Sequence, residues 1–244
     1  MKKILGLIKY HGLVLIREPI TMFLAVVLPF IMMILQQGTM SEVLPGGVQV
    51  IDLAIPTFIV MTAMTLGILD SGFNHAHARQ TKFLRRLRMT PATPLNYLVA
   101  GIASRLVVFT AFVAIFIGTT SAIFDATLTN HNWLIFTAIV LLIFVMFYFI
   151  GMFFANLFKT GKASQSLTNA AYFALLFLGG IFIPVDSMPE LAQVITRHFP
   201  TTYAINLLEA AWGGTSIFNG HYFVVVAGIT AIFCALSVKF FKYE

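Results

Sequence analysis

Six apolar runs, at about 20–36, 53–73, 97–124, 133–157, 167–183 and 222–241, alternate along the chain with short polar connections. An α-helix needs roughly 20 apolar residues to cross the hydrocarbon core of a bilayer, so each run suits one span, the first and fifth being short. The pattern predicts an all-α polytopic membrane protein with six transmembrane helices. Pro29 and Pro56 fall inside runs. They predict kinks, which lipid-embedded helices tolerate because neighbouring groups can satisfy the freed carbonyls.

Residues 1–18 follow a different rhythm. At about 100° per residue, Lys2, Lys3, Lys9 and Arg17 share an arc of about 120°, with Ile4, Leu5, Leu7, Ile8, Leu15 and Ile16 on the remainder. This predicts an amphipathic interfacial helix, although His11 and Glu18 fall on the wrong side. Lys9 and Arg17 interrupt the apolar stretch and no small-residue cleavage site follows, which is unlike a cleavable signal peptide.

Two connections are too long for plain turns. The connection at about 74–96, with the stretch FNHAHARQTKFLRRLRMTPATPL (residues 73–95), predicts a short basic amphipathic helix ended by Thr90-Pro91 and Thr93-Pro94. Residues 184–221 carry a helix start at Asp186 or Ser187 before Pro189, a stop at Pro200, and a second apolar stretch ending at Gly213-Gly214. They predict two short helices dipping into the outer leaflet. No internal repeat or low-complexity linker is evident.

Composition strengthens this picture. Hydrophobic residues make up 59% of the 244 and charged residues only 10%, far from the roughly one quarter charged in soluble domains. Spans and connections account for nearly the whole chain, 1–244, as a single transmembrane domain, and no room remains for a soluble catalytic domain. The formal charge of +6 could suggest nucleic acid or anionic lipid, so its placement decides. All but two of the 15 Lys and Arg residues fall in the N-terminal segment, the second and fourth connections and the tail. Basic connections stay on the cytoplasmic side, which places both termini there. Glu42, Asp52, Asp125, Asp186, Glu190 and Glu209 fall in the external connections. The single Cys234 lies in the last run and reads as a small buried hydrophobe.

Catalytic signatures are missing. No G-x-x-x-x-G-K-[ST] phosphate loop occurs, and Gly161-Lys162 lacks the surrounding pattern. H-E-x-x-H and G-x-S-x-G are also absent, and no metal or cofactor is expected in this chain. His75 and His77 lie near Asp70 and Arg79, but residues two apart on a helix point to nearly opposite faces, so they read as interfacial side chains. Asp70 and Arg105 are the two ionisable residues inside apolar runs. A mid-bilayer charge costs about 2.5 to 3.5 kcal/mol on insertion scales, so they either pair across the second and third spans or snorkel to the interface. Lys82, Phe83, Leu84, Arg85, Arg86, Leu87 and Arg88 admit three readings: a nucleic-acid patch, for which they are too few; a headgroup-contacting loop; or a docking helix for a cytoplasmic protein. Small residues recur at packing spacing in Gly67–Ser71, Ala100–Ser104 and Gly151–Ala155 and predict close intramolecular helix contacts. An ATP-independent secondary transporter would usually show internal repeats and midplane charges; an intramembrane enzyme would need a nucleophile, base and metal set that is not visible.

Three features in order resemble the ABC-2 type, or type-2 ABC exporter, permeases, and in particular their drug and antibiotic exporter-like branch. An amphipathic basic helix leads through Arg17-Glu18-Pro19 into the first span. The stretch KFLRRLRMTPATPLNYLVAGIASR resembles that family's basic segment, Thr-Pro and turn into the third span. FIPVDSMPELAQVITRHFPTTYAINLLEAAWGG resembles its signature after the fifth span, with Pro189 and then Phe199, Pro200, Thr201, Thr202 and Tyr203. The resemblance implies a permease subunit that dimerises, homodimer favoured, and binds two copies of a separate ATP-binding subunit, which holds the ATP and Mg. It implies that Lys82 to Arg88 form the coupling helix and that residues 186–214 form an external re-entrant hairpin. The cargo would be lipophilic or amphipathic, the location the cell membrane of a bacterium, and the remaining partner membrane lipid rather than nucleic acid.

Overall fold

The computed structural model describes residues 2–35, 50–89, 93–124, 132–182, 185, 188–213 and 221–242. The expectations for Glu42, Thr90-Pro91, Asp125, Asp186, Ser187 and Gly214 lie outside them. The described residues form helices and no strand. In chain order these are α1 Lys2–Ile16, α2 Pro19–Leu35, α3 Val50–Gln80, α4 Phe83–Arg88, α5 Pro94–Phe124, α6 Trp133–Leu157, α7 Gly161–Leu178, α8 Glu190–Thr196, α9 Pro200–Trp212 and α10 Tyr222–Lys239.

Four of these, α3, α5, α6 and α10, are long and apolar enough to cross a membrane. The pair Gly6–Leu15 and Pro19–Leu35, bent by 77°, raises the number to five if it counts as one span. The fifth apolar run of the sequence is absorbed into α7, which starts earlier, at Gly161, and ends earlier, at Leu178. Its opening turns carry Lys162, Gln165, Ser166 and Asn169, so the helix as formed is less apolar than the run.

α3 and α6 make the centre of the bundle. Of the most apolar stretch of α3, 78% is buried, against 11% for α10, so α3 is the enclosed helix and α10 lies at the rim. The crossing of α3 with α6 requires glycine. A Cβ on Gly67 would sit 2.9 Å from the backbone of Phe147, and one on Gly151 would sit 2.5 Å from the Gly67 carbonyl oxygen. Backbone-to-backbone approach of this kind replaces the hydrophobic effect, which is weak between helices in lipid, with dispersion contacts. Around it Phe144, Phe147, Ile143, Met64 and Ile68 are fully buried.

Two π-helical segments interrupt the spans, Phe23–Val27 in α2 and Thr65–Asp70 in α3. Such bulges widen the turn and turn side chains away from the regular helical stripe. Pro29 has no N–H to give to the carbonyl one turn back, that of Ala25. Thr62 of α3 donates its hydroxyl to that oxygen at 2.9 Å. The freed acceptor thus becomes a bond between the first two apolar helices. The second bulge ends on Asp70 and aims it into the bundle.

Candidate functional sites at the two ends of the bundle

The basic connection is shorter than its sequence suggests. α3 continues as regular helix to Gln80, and the chain turns through Thr81 and Lys82, the latter left-handed at φ 56°. The six residues Phe83–Arg88 then form α4. Leu84 is fully buried, and Phe83 stacks on Tyr10 of α1 with ring centroids 4.4 Å apart and planes within 11°. Lys82, Arg85 and Arg86 are exposed. The apolar stripe expected to meet a partner is therefore partly used inside the chain, and the outward surface of α4 is basic.

α1 packs along α5 through Leu7, His11 and Leu15, all buried and spaced four apart. His11 is on the inner side because its ring packs edge-on against Tyr97, at 4.7 Å. Glu18 stands at the N-cap position of α2, half-buried, and its carboxylate accepts from the Thr21 hydroxyl at 3.3 Å. Burial, and after it the nearby Asp70 carboxylate, pushes Glu18 up to about 7.

Beneath this layer Asp70 and Arg105 meet. Arg105 Nε donates to one Asp70 oxygen, and the other accepts from Asn74 Nδ2 at 2.9 Å. Arg105 Nη1 also reaches the Gly101 carbonyl at 3.3 Å. The wall beside them is Tyr148, whose hydroxyl donates to the Leu98 carbonyl at 3.2 Å, and a Cβ on Gly101 would collide with that hydroxyl at 2.3 Å. Glycine at 101 thus leaves room for both the guanidinium and the phenol. Neither ion snorkels: both are enclosed by protein.

One of the two histidines read from sequence as interfacial is interior, and so is Arg79 of the basic connection. His75 donates from Nε2 to Asn156 Oδ1 at 2.9 Å and is ringed by Tyr97 and Phe241, whereas His77 is exposed, so the two do not share a site. No group of three metal-ligating side chains occurs among the described residues. Arg79, counted above with the basic connection, is buried and caps the C-terminal end of α6. Its guanidinium donates to the carbonyls of Ala155, Phe158 and Lys159 at 2.8–2.9 Å and to Ser164 Oγ at 3.1 Å. A cation there satisfies carbonyls that the helix leaves open and sits at the negative end of its dipole.

At the opposite end lie two short helices, α8 and α9, in the segment read from sequence as a re-entrant hairpin. Pro189 caps α8 and Pro200 opens α9, where the missing N–H costs no bond. Thr202 donates to the Thr196 carbonyl at 2.6 Å and lies 3.4 Å from that of Gly179, joining α9 to α8 and to the end of α7. Thr202 of Phe199-Pro200-Thr201-Thr202-Tyr203 is thus a tie, while Tyr203 lines a cavity with Phe58, Met61 and Val185. That cavity encloses about 830 Å³ between α3, α9 and the start of α10.

The ABC-2 type transporter family model matches residues 3–211 of the chain. The chain belongs to the ABC-2 type transporter family. Its members are permease components of ABC transporters and normally work with an ABC ATPase subunit. No curated protein matches the chain. In this ABC-2 chain, two of the three segments that carried the resemblance lie at opposite ends of the bundle, α4 at one and α8–α9 at the other, joined by α3, which reaches both. Sequence reasoning missed the Arg79 cap, the His75–Asn156 bond and the Glu209 carboxylate in the cavity. For Arg79 one signal was available: it follows Asp70 by nine residues in a helix without a breaker before Gln80.

Proposed function

We propose that this chain is the membrane-spanning subunit of an ATP-driven exporter that moves a lipophilic or amphipathic cargo outward, working as a homodimer with two copies of a separate ATPase. The reading places six spans in the cell membrane of a bacterium, both termini in the cytoplasm, α1 in the membrane interface and the whole of 1–244 as one transmembrane domain. ATP and Mg belong to the partner. Alternating access then opens the path to one side at a time, with nucleotide binding and hydrolysis biasing the two states.

The observation that carries the proposal is the seating of α4. Its apolar side is anchored by Leu84 in the core and Phe83 on Tyr10, so a push on the exposed Arg85–Arg86 surface is delivered to α1 and α3 instead of being lost in a flexible loop. A rigid, basic, six-residue helix on the charged end of the bundle suits a groove in an acidic-lined cytoplasmic ATPase. The hairpin α8–α9 at the far end suits an exit gate. Co-expression with the ATPase of a neighbouring reading frame, followed by purification, is expected to yield a stable complex whose inverted vesicles take up amphiphile only with ATP. A chain that purifies without an ATPase and moves solute on an ion gradient alone overturns the proposal.

A further inference from the structure

The cavity at the hairpin end contains one carboxylate, that of Glu209, among the described residues that line it. Most of the wall is apolar, from Met32, Leu53, Phe58, Met61 and Ile205. α9 turns Tyr203, Asn206 and Glu209 into it at three-residue spacing, so a ring, an amide and an acid form a strip along one face. Next to the strip Tyr203 lies 5.9 Å from the ring of His221 and 6.2 Å from that of Tyr222. The cavity runs beside α3 from Val50 to Met61, a depth of ~16 Å at 1.5 Å per residue.

Glu209 has neither a hydrogen-bond donor nor a cation on its carboxylate among the described residues, in contrast to Asp70, which has both. Burial alone pushes it up to about 7, and no neighbouring positive charge offsets that rise. Arg197 also lines the cavity, but its guanidinium is directed to Gln193 Oε1 at 3.4 Å. A lone acid in an apolar, aromatic-rimmed space is costly as an anion until a cation joins it, and aromatic faces attract the same cation.

Resting on the permease reading, we propose that Glu209 is the counter-ion for the positively charged group of an amphipathic cargo, with Tyr203 and Tyr222 flanking that group and the α3 wall taking its apolar body. The cargo class is thereby narrowed from amphiphiles in general to cationic ones. Cation binding favours the carboxylate form, so loading the cavity near neutral pH releases a proton from Glu209.

Tetraphenylphosphonium and tetraphenylborate have one shape and opposite charge, which makes them suitable probes. Saturable binding to the permease–ATPase complex in lipid nanodiscs, above that of empty nanodiscs, is expected for the phosphonium. Glu209→Gln should weaken it by about tenfold or more, as expected for loss of a partly desolvated charge pair. Glu209→Lys should invert the preference toward the borate, a gain that a misfolded protein cannot produce. Wild-type binding of the phosphonium should tighten from pH 6 to pH 8. His198 and His221 also face the cavity, with Arg197, Tyr203 and Tyr222. The pH effect is therefore taken as the difference between wild type and Glu209→Gln. Unchanged phosphonium affinity in Glu209→Gln, or a wild-type preference for the borate, overturns the subsite while ATP-driven export by the complex still stands. A chain that takes no ATPase yet binds the phosphonium through Glu209 keeps the subsite and overturns the exporter.

Discussion

The Arg105 guanidinium rests on the Asp70 carboxylate, across 35 residues of sequence, with both side chains closed off from solvent. The pair joins α5, on which α1 packs, to α3, which leads directly into α4. Removing one partner leaves a buried, uncompensated charge, which costs about 3–5 kcal/mol, whereas removing both costs much less. Asp70→Asn and Arg105→Met are each expected to lower thermal stability in nanodiscs sharply. The double variant should recover most of the loss, giving a coupling energy of about 2 kcal/mol or more. Additive losses would show that the ions act separately.

Charge reversal at Arg85 and Arg86 tests the docking surface proposed for α4. Both side chains face outward, so Arg85→Glu with Arg86→Glu should leave membrane insertion and melting temperature near wild type. Co-purified ATPase should fall at least about tenfold, since unlike charges across an interface become like ones. Truncation of Phe83 to Ala should act differently: the stacked partner of Tyr10 is lost, the ATPase still binds, and its stimulation by cargo declines. The two readouts are pull-down stoichiometry and cargo-stimulated hydrolysis.

Thr62 and Pro29 form a test of how α2 is held. Thr62→Val keeps shape but leaves the Ala25 carbonyl without its hydroxyl donor, at a cost of about 1 kcal/mol. Pro29→Ala returns an N–H to the helix, and that donor can serve the same carbonyl. In the Pro29→Ala background Thr62→Val should therefore cost measurably less. Equal costs in both backgrounds, by thermal unfolding of purified protein, would detach the hydroxyl from the proline.

Glu18 gives the chain a pH response of defined sign. Its folded value, near 7, lies above the ordinary carboxylate value of 4.5, so the folded chain holds the proton more tightly than the unfolded one. Stability from this group is full below about pH 4.5 and declines as pH rises toward 7. Because Glu18 is only half-buried, solvent screening reduces the effect, to about 1 kcal/mol. Glu18→Gln is expected to raise the melting temperature at pH 8 and to change it little at pH 5, read from a pair of melts.

Much of this architecture is written in residue periodicity. The apolar runs place α5, α6, α10 and the start of α3 within a few residues, because a lipid-crossing helix must be both long and apolar, whereas α3 continues past its run to Gln80. Gly67 and Gly151 announce their crossing by spacing, since only small residues let backbones touch. What hydropathy misreads is the polar residue that finds a partner far along the chain. His75 and Arg79 look like loop residues next to a basic segment, yet Asn156 and the end of α6 take them into the interior. Glu209 escapes notice for the opposite reason. As an isolated acid in a segment expected to be external, it carries no signal of its own until α9 folds it over the cavity. The extent of α7 was likewise hidden, because its polar opening turns face Arg79 and α3 through Ser164 and Thr168.

The Arg79 cap also bears on how the chain is built. Its nearest acceptor in sequence, the Ala155 carbonyl, lies 76 residues downstream, and Ser164 lies 85 downstream. At synthesis rates of 5–20 residues per second these groups emerge about 4 to 17 s after the arginine. Through that interval α3 is complete but its closing cation still has water or lipid phosphate for company. Final docking of α3 thus waits on the arrival of α6 and α7, and the central helix of the finished bundle is among the last to settle.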